Sequence, residues 1–404
     1  MDACHRRPHA RPVPPCQEGI LLVTRTRLLA LTGLACAALT LQSIAPATAA
    51  TADRPTTGNV QKALAELAKS AKVVGAIGAV YVDGRKAGEG SAGSRLLGGK
   101  GGGIPAGARF RAGSQTKSMT QVVLMQLVRE HRLALDDRLS DLLPEVVDED
   151  LVERADEITV EQMIHHTSGI PNWYTPELVD LLDFTTYLSP MELIERSRTV
   201  PRSQEPGEKF SYSNTNYFLL GLIIEKLTGH SVATEFERRV FDPLHMDDSY
   251  LPVRFPGGIR GRHAHGYFPD ENGRLRDVDR LNMSYGYAAG GVISTTHDLA
   301  AFHRAYAGDK LLTKEEKKAL EAGRPAQEPR PGRPEDPGDR RVCGQESAYA
   351  VNKGSSSGFN AVSYISRDGR VQFVISATLS TRNTDPALDP LLNKAAEAVL
   401  CPGE

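Results

Sequence analysis

Phe110-Arg-Ala-Gly-Ser-Gln-Thr-Lys-Ser-Met-Thr120 contains a Ser-x-x-Lys pair at the predicted start of a helix. Residues at this spacing lie on one helix face, so the Ser114 hydroxyl and the Lys117 amine would be neighbours. A serine hydroxyl is a weak nucleophile until a base takes its proton, and a lysine can do this once burial has lowered its pKa. The stretch therefore predicts an activated serine, although a Ser-x-x-Lys pair alone often arises by chance.

A second polar cluster, Pro206-Gly-Glu-Lys-Phe-Ser-Tyr-Ser-Asn-Thr-Asn216, precedes an apolar helix. A tight turn there would present the Tyr212 and Asn214 side chains together. Ser-x-x-Lys followed by Tyr-x-Asn resembles the serine penicillin-recognising hydrolases, specifically the branch of class C β-lactamases and D-alanyl-D-alanine carboxypeptidases. The resemblance covers roughly residues 57–400. It includes three further segments, Leu133–Asp137, Ile158–Pro171 and Ala289–Asp298.

The resemblance implies an α+β, β-lactamase/transpeptidase-like fold, with an antiparallel sheet flanked by helices and a mainly helical second lobe. Local patterns agree with it: an apolar strand over Val73–Val82, and a hairpin of Ala361–Ser366 and Val371–Ser376 that turns at Asp368-Gly369. Helical patterns cover Asn59–Ser70, Met119–His131, Asn216–Leu227 and Ala387–Leu400. We predict one hydrolase domain over residues 51–404. Its α/β lobe would comprise about 57–112 and 285–404, and its helical lobe about 113–284.

The third catalytic element of the family has Lys or His, then Thr or Ser, then Gly, on a strand. Aligning the chain on Gly358-Phe359 places Asn352, Lys353 and Gly354 at these positions. Asn352 cannot carry the usual positive charge, and Lys353 is the nearest substitute. Because successive strand residues face opposite sides, Lys353 reaches the substrate only if the strand is bulged, and both orientations remain open.

The resemblance also implies a mechanism. Ser114 would attack a carbonyl and form an acyl-enzyme, while Lys117 and Tyr212 share the proton between nucleophile and leaving group. Asn214 would bind the amide of the substrate, beside the third-motif residues, and the backbone N–H groups of Ser114 and Ser355 would receive the oxyanion. No metal and no organic cofactor are required.

Two other patterns suggest different chemistry. Gly229-His-Ser-Val-Ala233 is similar to the nucleophile elbow of α/β-hydrolases, but a helix rather than a strand leads into it, so we expect Ser231 to cap the next helix. The pairs His165-His166 and His263-x-His265 lack the His-x-x-x-His spacing of zinc sites and have no carboxylate-cysteine set near them in the sequence. We interpret these histidines as structural or surface groups.

Residues 1–50 have the pattern of a leader with a cleaved secretory signal. Arg25 and Arg27 precede the apolar run Leu28–Leu41, and Ala47-Thr-Ala-Ala50 supplies small residues for cleavage. The run is short for a membrane span, so we expect no stable span and a secreted, extracellular or wall-associated protein. Of five cysteines, Cys343 and Cys401 remain after cleavage, and they either pair in an oxidising compartment or stay as buried thiols.

The net charge of the whole chain is −2, which gives no sign of nucleic-acid binding. We therefore expect a secreted serine hydrolase of the D-alanyl-D-alanine carboxypeptidase kind acting on peptidoglycan stem peptides. An esterase or amidase and a class C-like β-lactamase are alternatives, with a β-lactam or a small ester or amide as substrate. A non-catalytic ligand-binding relative is the remaining alternative, but Ser114, Lys117, Tyr212 and Asn214 are all present.

Overall fold

The computed structural model describes residues 55–175, 177–252, 258–324, 342–343 and 348–403. The leader prediction for residues 1–50 and most of the Pro- and Arg-rich segment that follows residue 323 lie outside this range. In the part that is described, no helix is both long and apolar enough to cross a membrane.

The strands, in chain order, are β1 Val73–Val82, β2 Arg85–Gly93, β3 Phe110–Arg111, β4 Tyr267–Pro269, β5 Leu275–Asp277, β6 Ile293–Ser294, β7 Tyr349–Ser356, β8 Phe359–Ser366 and β9 Val371–Leu379. Five of them form an antiparallel sheet in the order β2-β1-β9-β8-β7. The pairing of β1 with β9 joins segments from the two ends of the chain. The predicted strand Val73–Val82 and the predicted hairpin are confirmed, and both hairpin strands extend beyond their predicted ends.

The α-helices, in chain order, are α1 Val60–Leu67, α2 Thr116–Arg129, α3 Leu139–Leu142, α4 Glu145–Asp148, α5 Val160–Ile164, α6 Pro190–Arg198, α7 Asn214–Thr228, α8 Val232–Phe236, α9 Asp242–Leu244, α10 Tyr287–Gly290, α11 Thr296–Ala307, α12 Lys314–Ala322 and α13 Leu388–Leu400. Two of the helix ends illustrate how the sequence caps these helices. Asn59 accepts from the Lys62 N–H at the start of α1, and Gly229 ends α7 with φ 74°.

Alternating side chains of β1 enter two different cores. Ile77, Ala79 and Tyr81 join the core that contains α2, α7 and α11, whereas Ala76 and Val80 join the core under α1 and α13. Every residue of β1 is buried, because helices cover both faces of the sheet. The site described below lies where β7 of the sheet meets the start of α2.

A disulfide joins Cys343, just before β7, to Cys401 at the end of α13, with a Cα–Cα distance of 5.5 Å. The structure thus selects the paired state of the two cysteines. The bridge connects the helix that covers one sheet face to the segment that leads into β7, the strand of the third motif.

Candidate active site

Ser114 lies in a single 3₁₀ turn, Gly113–Gln115, which continues directly into α2. Gly113 has φ 57°, and a Cβ there would lie 2.6 Å from the backbone nitrogen of Ser355. Only glycine combines this left-handed backbone with so close an approach. The predicted helix start is thus a tighter turn that brings the half-buried serine against β7.

The Lys117 amine is buried and has three oxygen neighbours. Nζ donates to Asn214 Oδ1 at 2.8 Å and to the Ala289 carbonyl at 2.7 Å, and it lies 3.4 Å from Ser114 Oγ. An amide oxygen and a carbonyl can only accept, so they occupy two N–H groups of the amine. The third position on Nζ faces the serine, and in the neutral amine this position holds the lone pair that can accept the serine proton.

Burial lowers the pKa of Lys117 well below its ordinary value. Desolvation penalises the ammonium form, and in the described part of the chain no carboxylate pairs with this lysine to offset the penalty. Lys117 Nζ also lies over the rings of Tyr212 and Tyr217, at 4.9 and 5.2 Å from the ring centroids. The environment therefore favours the neutral amine, which is the form that a general base requires.

Tyr212 OH lies 2.8 Å from Ser114 Oγ, so the serine contacts both of its predicted partners. Burial raises the pKa of Tyr212 to about 12, and the hydrogen bond with Ser114 opposes this rise. The side chain is nevertheless 38% exposed, and solvent moderates the effect of burial. The phenol keeps its proton at neutral pH and can pass it between the serine, the lysine and a leaving group.

Asn214 is the first residue of α7, and it makes hydrogen bonds with both Lys117 and Asn172. Its Oδ1 accepts from Lys117, while its backbone N–H and its Nδ2 donate to Asn172 Oδ1 at 2.9 and 3.3 Å. The Nδ2 group has a second hydrogen, which is available to a substrate carbonyl. The predicted contact of Asn214 with substrate stays a prediction, and positioning of Lys117 is a contact that the structure adds.

The third motif runs along β7 in regular pairing with β8. Asn352 Nδ2 donates to Ser118 Oγ on α2 at 3.0 Å, whereas Lys353 Nζ contacts the carboxylate of Asp389 on α13. Because the strand has no bulge here, the two side chains leave opposite faces of the sheet. The structure therefore does not bring Lys353 to the site, and Asn352 takes the position of the family's cation.

Gly354 and Ser355 lie against the turn Gly113–Gln115, which contains the nucleophile. A Cβ on Gly354 would lie 1.8 Å from the Ala112 carbonyl and 3.0 Å from the Ser114 nitrogen. The backbone of β7 and the turn Gly113–Gln115 therefore approach each other closely beside Ser114 and Ser355. The oxyanion hole that the sequence predicts at these two residues stays a prediction.

The structure adds His166 to the site, a residue that the sequence analysis interpreted as structural or surface. Its ring stacks on Tyr212 with centroids 4.5 Å apart, and Nδ1 accepts from the Ser213 N–H at 3.2 Å. Burial, and secondarily the nearby Lys117, lower the pKa of His166 well below its ordinary value, so the ring is neutral. The residue positions the tyrosine. The sequence does not show that Ile158–Pro171 lies beside the Tyr-x-Asn turn in space, and this proximity is what would have revealed the role of His166.

The competing nucleophile elbow is excluded by its surroundings. Ser231 is the N-cap of α8, where its side chain accepts from the Thr234 N–H at 3.2 Å. It follows a helix that ends at Gly229 rather than a strand, as the sequence predicts.

Comparison with known proteins establishes the class. The model of the Beta-lactamase family matches residues 60–398, most of the chain, and the chain belongs to this family. Its members are serine hydrolases such as amidases and penicillin-binding proteins. The predicted β-lactamase/transpeptidase-like fold is therefore confirmed.

Three similar proteins show how much of the chain the likeness covers. The crystal structure of a D-stereospecific amidohydrolase from Streptomyces sp. superposes with a TM-score of 0.70 at 27% identity, covering 85% of this chain and 98% of that one. Penicillin-binding protein 4 of Amycolatopsis lactamdurans is 32% identical over 59% of this chain and 60% of its own length. Protein flp of Staphylococcus aureus strain COL is 33% identical over 34% of this chain and 27% of its own length. The chain thus spans less than two thirds of these two curated relatives.

Proposed function

We propose that this protein is an exported serine hydrolase that forms an acyl-enzyme on Ser114 and cleaves amide bonds beside D-amino acids. One observation carries the proposal: Ser114 Oγ contacts both Tyr212 OH, at 2.8 Å, and the buried amine of Lys117, at 3.4 Å. A nucleophile within reach of two proton carriers is the arrangement that acyl transfer needs.

The steps follow from these contacts. The neutral amine of Lys117 accepts the serine proton, directly or through Tyr212, as Ser114 Oγ attacks the substrate carbonyl. The N–H groups of Ser114 and Ser355 stabilise the oxyanion, and Tyr212 delivers a proton to the departing nitrogen. Water then attacks the ester carbonyl of the acyl-enzyme with the same groups acting in reverse. Hydrolysis releases the acid and restores the serine hydroxyl.

The third motif bears on the substrate class. A peptide that ends in a free D-alanine presents a carboxylate, which a cation would bind strongly. Here Asn352 faces α2 and Lys353 contacts Asp389 on the other face of the sheet. An amide side chain suits an uncharged group instead, so amidated or internal D-residues fit better. The likeness to a D-stereospecific amidohydrolase supports this choice.

Release of terminal D-alanine from peptidoglycan stem peptides is the second candidate. It is supported by the similarity to Penicillin-binding protein 4 over 59% of the chain. Asn352→Lys distinguishes the candidates, because a restored cation should raise kcat/KM for peptides with a free terminal carboxylate and leave that for D-amino-acid amides unchanged or lower. Equal effects on both substrates would contradict the proposal that Asn352 favours uncharged substrates over a free carboxylate.

The first experiment is the intact mass of the protein after incubation with benzylpenicillin, beside the variant Ser114→Ala, while ring opening of the free drug is followed. A lasting adduct that the variant lacks supports a penicillin-binding peptidase or amidase, and rapid ring opening without an adduct supports a β-lactamase. D-amino-acid amides and esters are assayed in parallel. If Ser114→Ala leaves every hydrolysis unchanged, Ser114 is not the nucleophile.

A further inference from the structure

Two histidines and an aspartate that are separated in the sequence meet beside the β4–β5 hairpin. His263 and His265 precede β4, and Asp279 follows β5. One ligand atom from each can be chosen so that all three atoms lie within 4.8 Å of one another. Two imidazoles and a carboxylate are a ligand set that divalent transition metals such as Zn²⁺ accept.

The hydrogen bonds of both rings leave the same nitrogen available. His263 Nδ1 donates to the Gly261 carbonyl at 2.7 Å, and His265 Nδ1 donates to an Asp277 oxygen at 2.8 Å. A carbonyl and a carboxylate can only accept, so Nδ1 carries the proton in each ring, and Nε2 of the neutral ring has a lone pair. Metal-binding histidines characteristically donate their second nitrogen to such an oxygen, which orients the ring.

His263 also contacts the carboxylate of Asp279, the third candidate ligand. His263 Nε2 lies 2.9 Å from Asp279 Oδ1. The contact lacks hydrogen-bond geometry, and among the described residues neither buried atom has another hydrogen-bond partner. A positive charge between the two atoms makes this contact favourable, and either a proton on Nε2 or a metal ion can supply it. A metal ion would lie off the line that joins them, which agrees with the poor alignment.

We propose that Nε2 of His263, Nε2 of His265 and the Asp279 carboxylate bind a divalent transition metal of the Zn²⁺ type, with Asp277 as the outer partner of His265. The side chains of the three ligands are between 13% and 23% exposed, so an ion can reach them from solvent.

The position of the cluster gives the ion a structural role. His263 pairs with Arg109 just before β3, and Arg111 Nη2 donates to the Asp279 carbonyl at 2.6 Å. Gly266, inside the segment, lies against Gly358 in the turn that follows β7. The metal would therefore hold the segment between His263 and Asp279 in place. This segment contacts β3, which leads to the nucleophile, and the turn at the end of the third motif. Ser114 itself does not contact this cluster.

The test is calorimetric titration of Zn²⁺ into full-length protein that has no histidine tag and has been freed of metal by a chelator. We expect one equivalent to bind, with a rise in Tm and a Co²⁺ absorption spectrum for the cobalt-loaded protein. His265→Ala should weaken binding at least about tenfold, and Asp277→Asn should weaken it about 10- to 100-fold. His297→Ala, an exposed histidine beside Asp298, is the matched control and should bind as the wild type does.

The metal-free variants must match the metal-free wild type in circular dichroism and Tm, so that loss of binding cannot come from misfolding. The proposal is overturned if Zn²⁺, Co²⁺ and Ni²⁺ fail to bind stoichiometrically, or if His265→Ala binds as tightly as the control. It is also overturned if NMR at neutral pH shows His263 as an imidazolium in the presence of Zn²⁺, because a proton would then supply the charge between His263 and Asp279.

Discussion

At the scale of single residues, Tyr212 has two separable contributions. Its hydroxyl contacts Ser114, whereas its ring stacks on His166 and covers the amine of Lys117. Tyr212→Phe removes the first and keeps the second. We therefore expect the rate of acylation to fall about 10²- to 10⁴-fold, the usual contribution of a positioned proton carrier, with little change in Tm. Single-turnover measurement of acylation by a chromogenic ester provides the check.

A matched control is Tyr174→Phe, since the hydrogen bond that the described residues give Tyr174 OH is a long one, 3.4 Å to Ser357 Oγ. If both variants lose acylation equally, the effect comes from general disturbance of the cleft and not from the hydroxyl on the serine.

The charge of Lys117 predicts the shape of the pH profile. Burial lowers the pKa of this amine, and the neutral form is the active base, so kcat/KM should fall as the pH drops through the lowered pKa. On the alkaline side the rate should hold until Tyr212, whose pKa is raised to about 12, loses its proton. Lys117→Arg keeps a permanent charge and should be inactive at every pH. Rate measurements across the pH range test these expectations.

Burial also lowers the pKa of His166, which lies near the base. The variant His166→Gln keeps an acceptor for the Ser213 N–H but cannot titrate. The acidic fall in rate should persist in this variant if it belongs to Lys117. Its disappearance would assign the titration to the histidine and contradict our account of the base.

At the scale of elements, the site depends on how closely β7 approaches the turn before α2. Gly354→Ala places a methyl group where only 1.8 Å separates it from the Ala112 carbonyl, so the strand and the turn must separate. We expect kcat to fall more than the affinity for substrate, because the two N–H groups that we propose for the oxyanion would move apart. Gly103→Ala, where no atom lies within 4 Å of the new methyl group, should leave kcat unchanged. Steady-state kinetics of both variants decide the point.

The disulfide acts between elements as well, since it closes the chain across a separation of 58 residues. Replacing both cysteines by serine should lower the free energy of unfolding by about 2–4 kcal/mol through the gain in unfolded-state entropy. Urea denaturation with and without a reducing agent measures this. The reductant should destabilise the wild type by the same amount and leave the double variant unaffected. A reductant effect on the double variant would point to some other cause.

The sequence predicts some parts of the site better than others, for physical reasons. Ser114 and Lys117 share a local stretch, and Tyr212 and Asn214 share a turn, so the two spacings in order, through the family resemblance, reveal both pairs. The Ala289 carbonyl and the ring of His166 reach the site only through tertiary packing, and a backbone acceptor leaves no mark in the sequence. The orientation of Lys353 depended on whether β7 was bulged, which the pattern of side chains left open.

At the scale of the whole molecule, the disulfide and the predicted leader both favour export. A Cys343–Cys401 bridge persists in oxidising surroundings, which supports export as a proposal. We expect the full-length chain, produced in a bacterium with a secretory pathway, to appear outside the cytoplasm with its N-terminus at Thr51, after loss of residues 1–50. N-terminal sequencing and intact mass under non-reducing conditions measure the cleavage and the bridge together.

Leu34→Asp places a charge in the apolar run of the leader and should retain the chain inside the cell, uncleaved and with both thiols reduced. Leu133→Asp, which changes a buried position of the hydrolase domain and not the leader, separates failed export from failed folding, because its leader should still be removed. An exported wild-type chain that still contains Arg25 and Arg27 would mean that the leader is an anchor and not a cleaved signal. Ser114 would then work at the membrane surface on substrates within reach of the anchor.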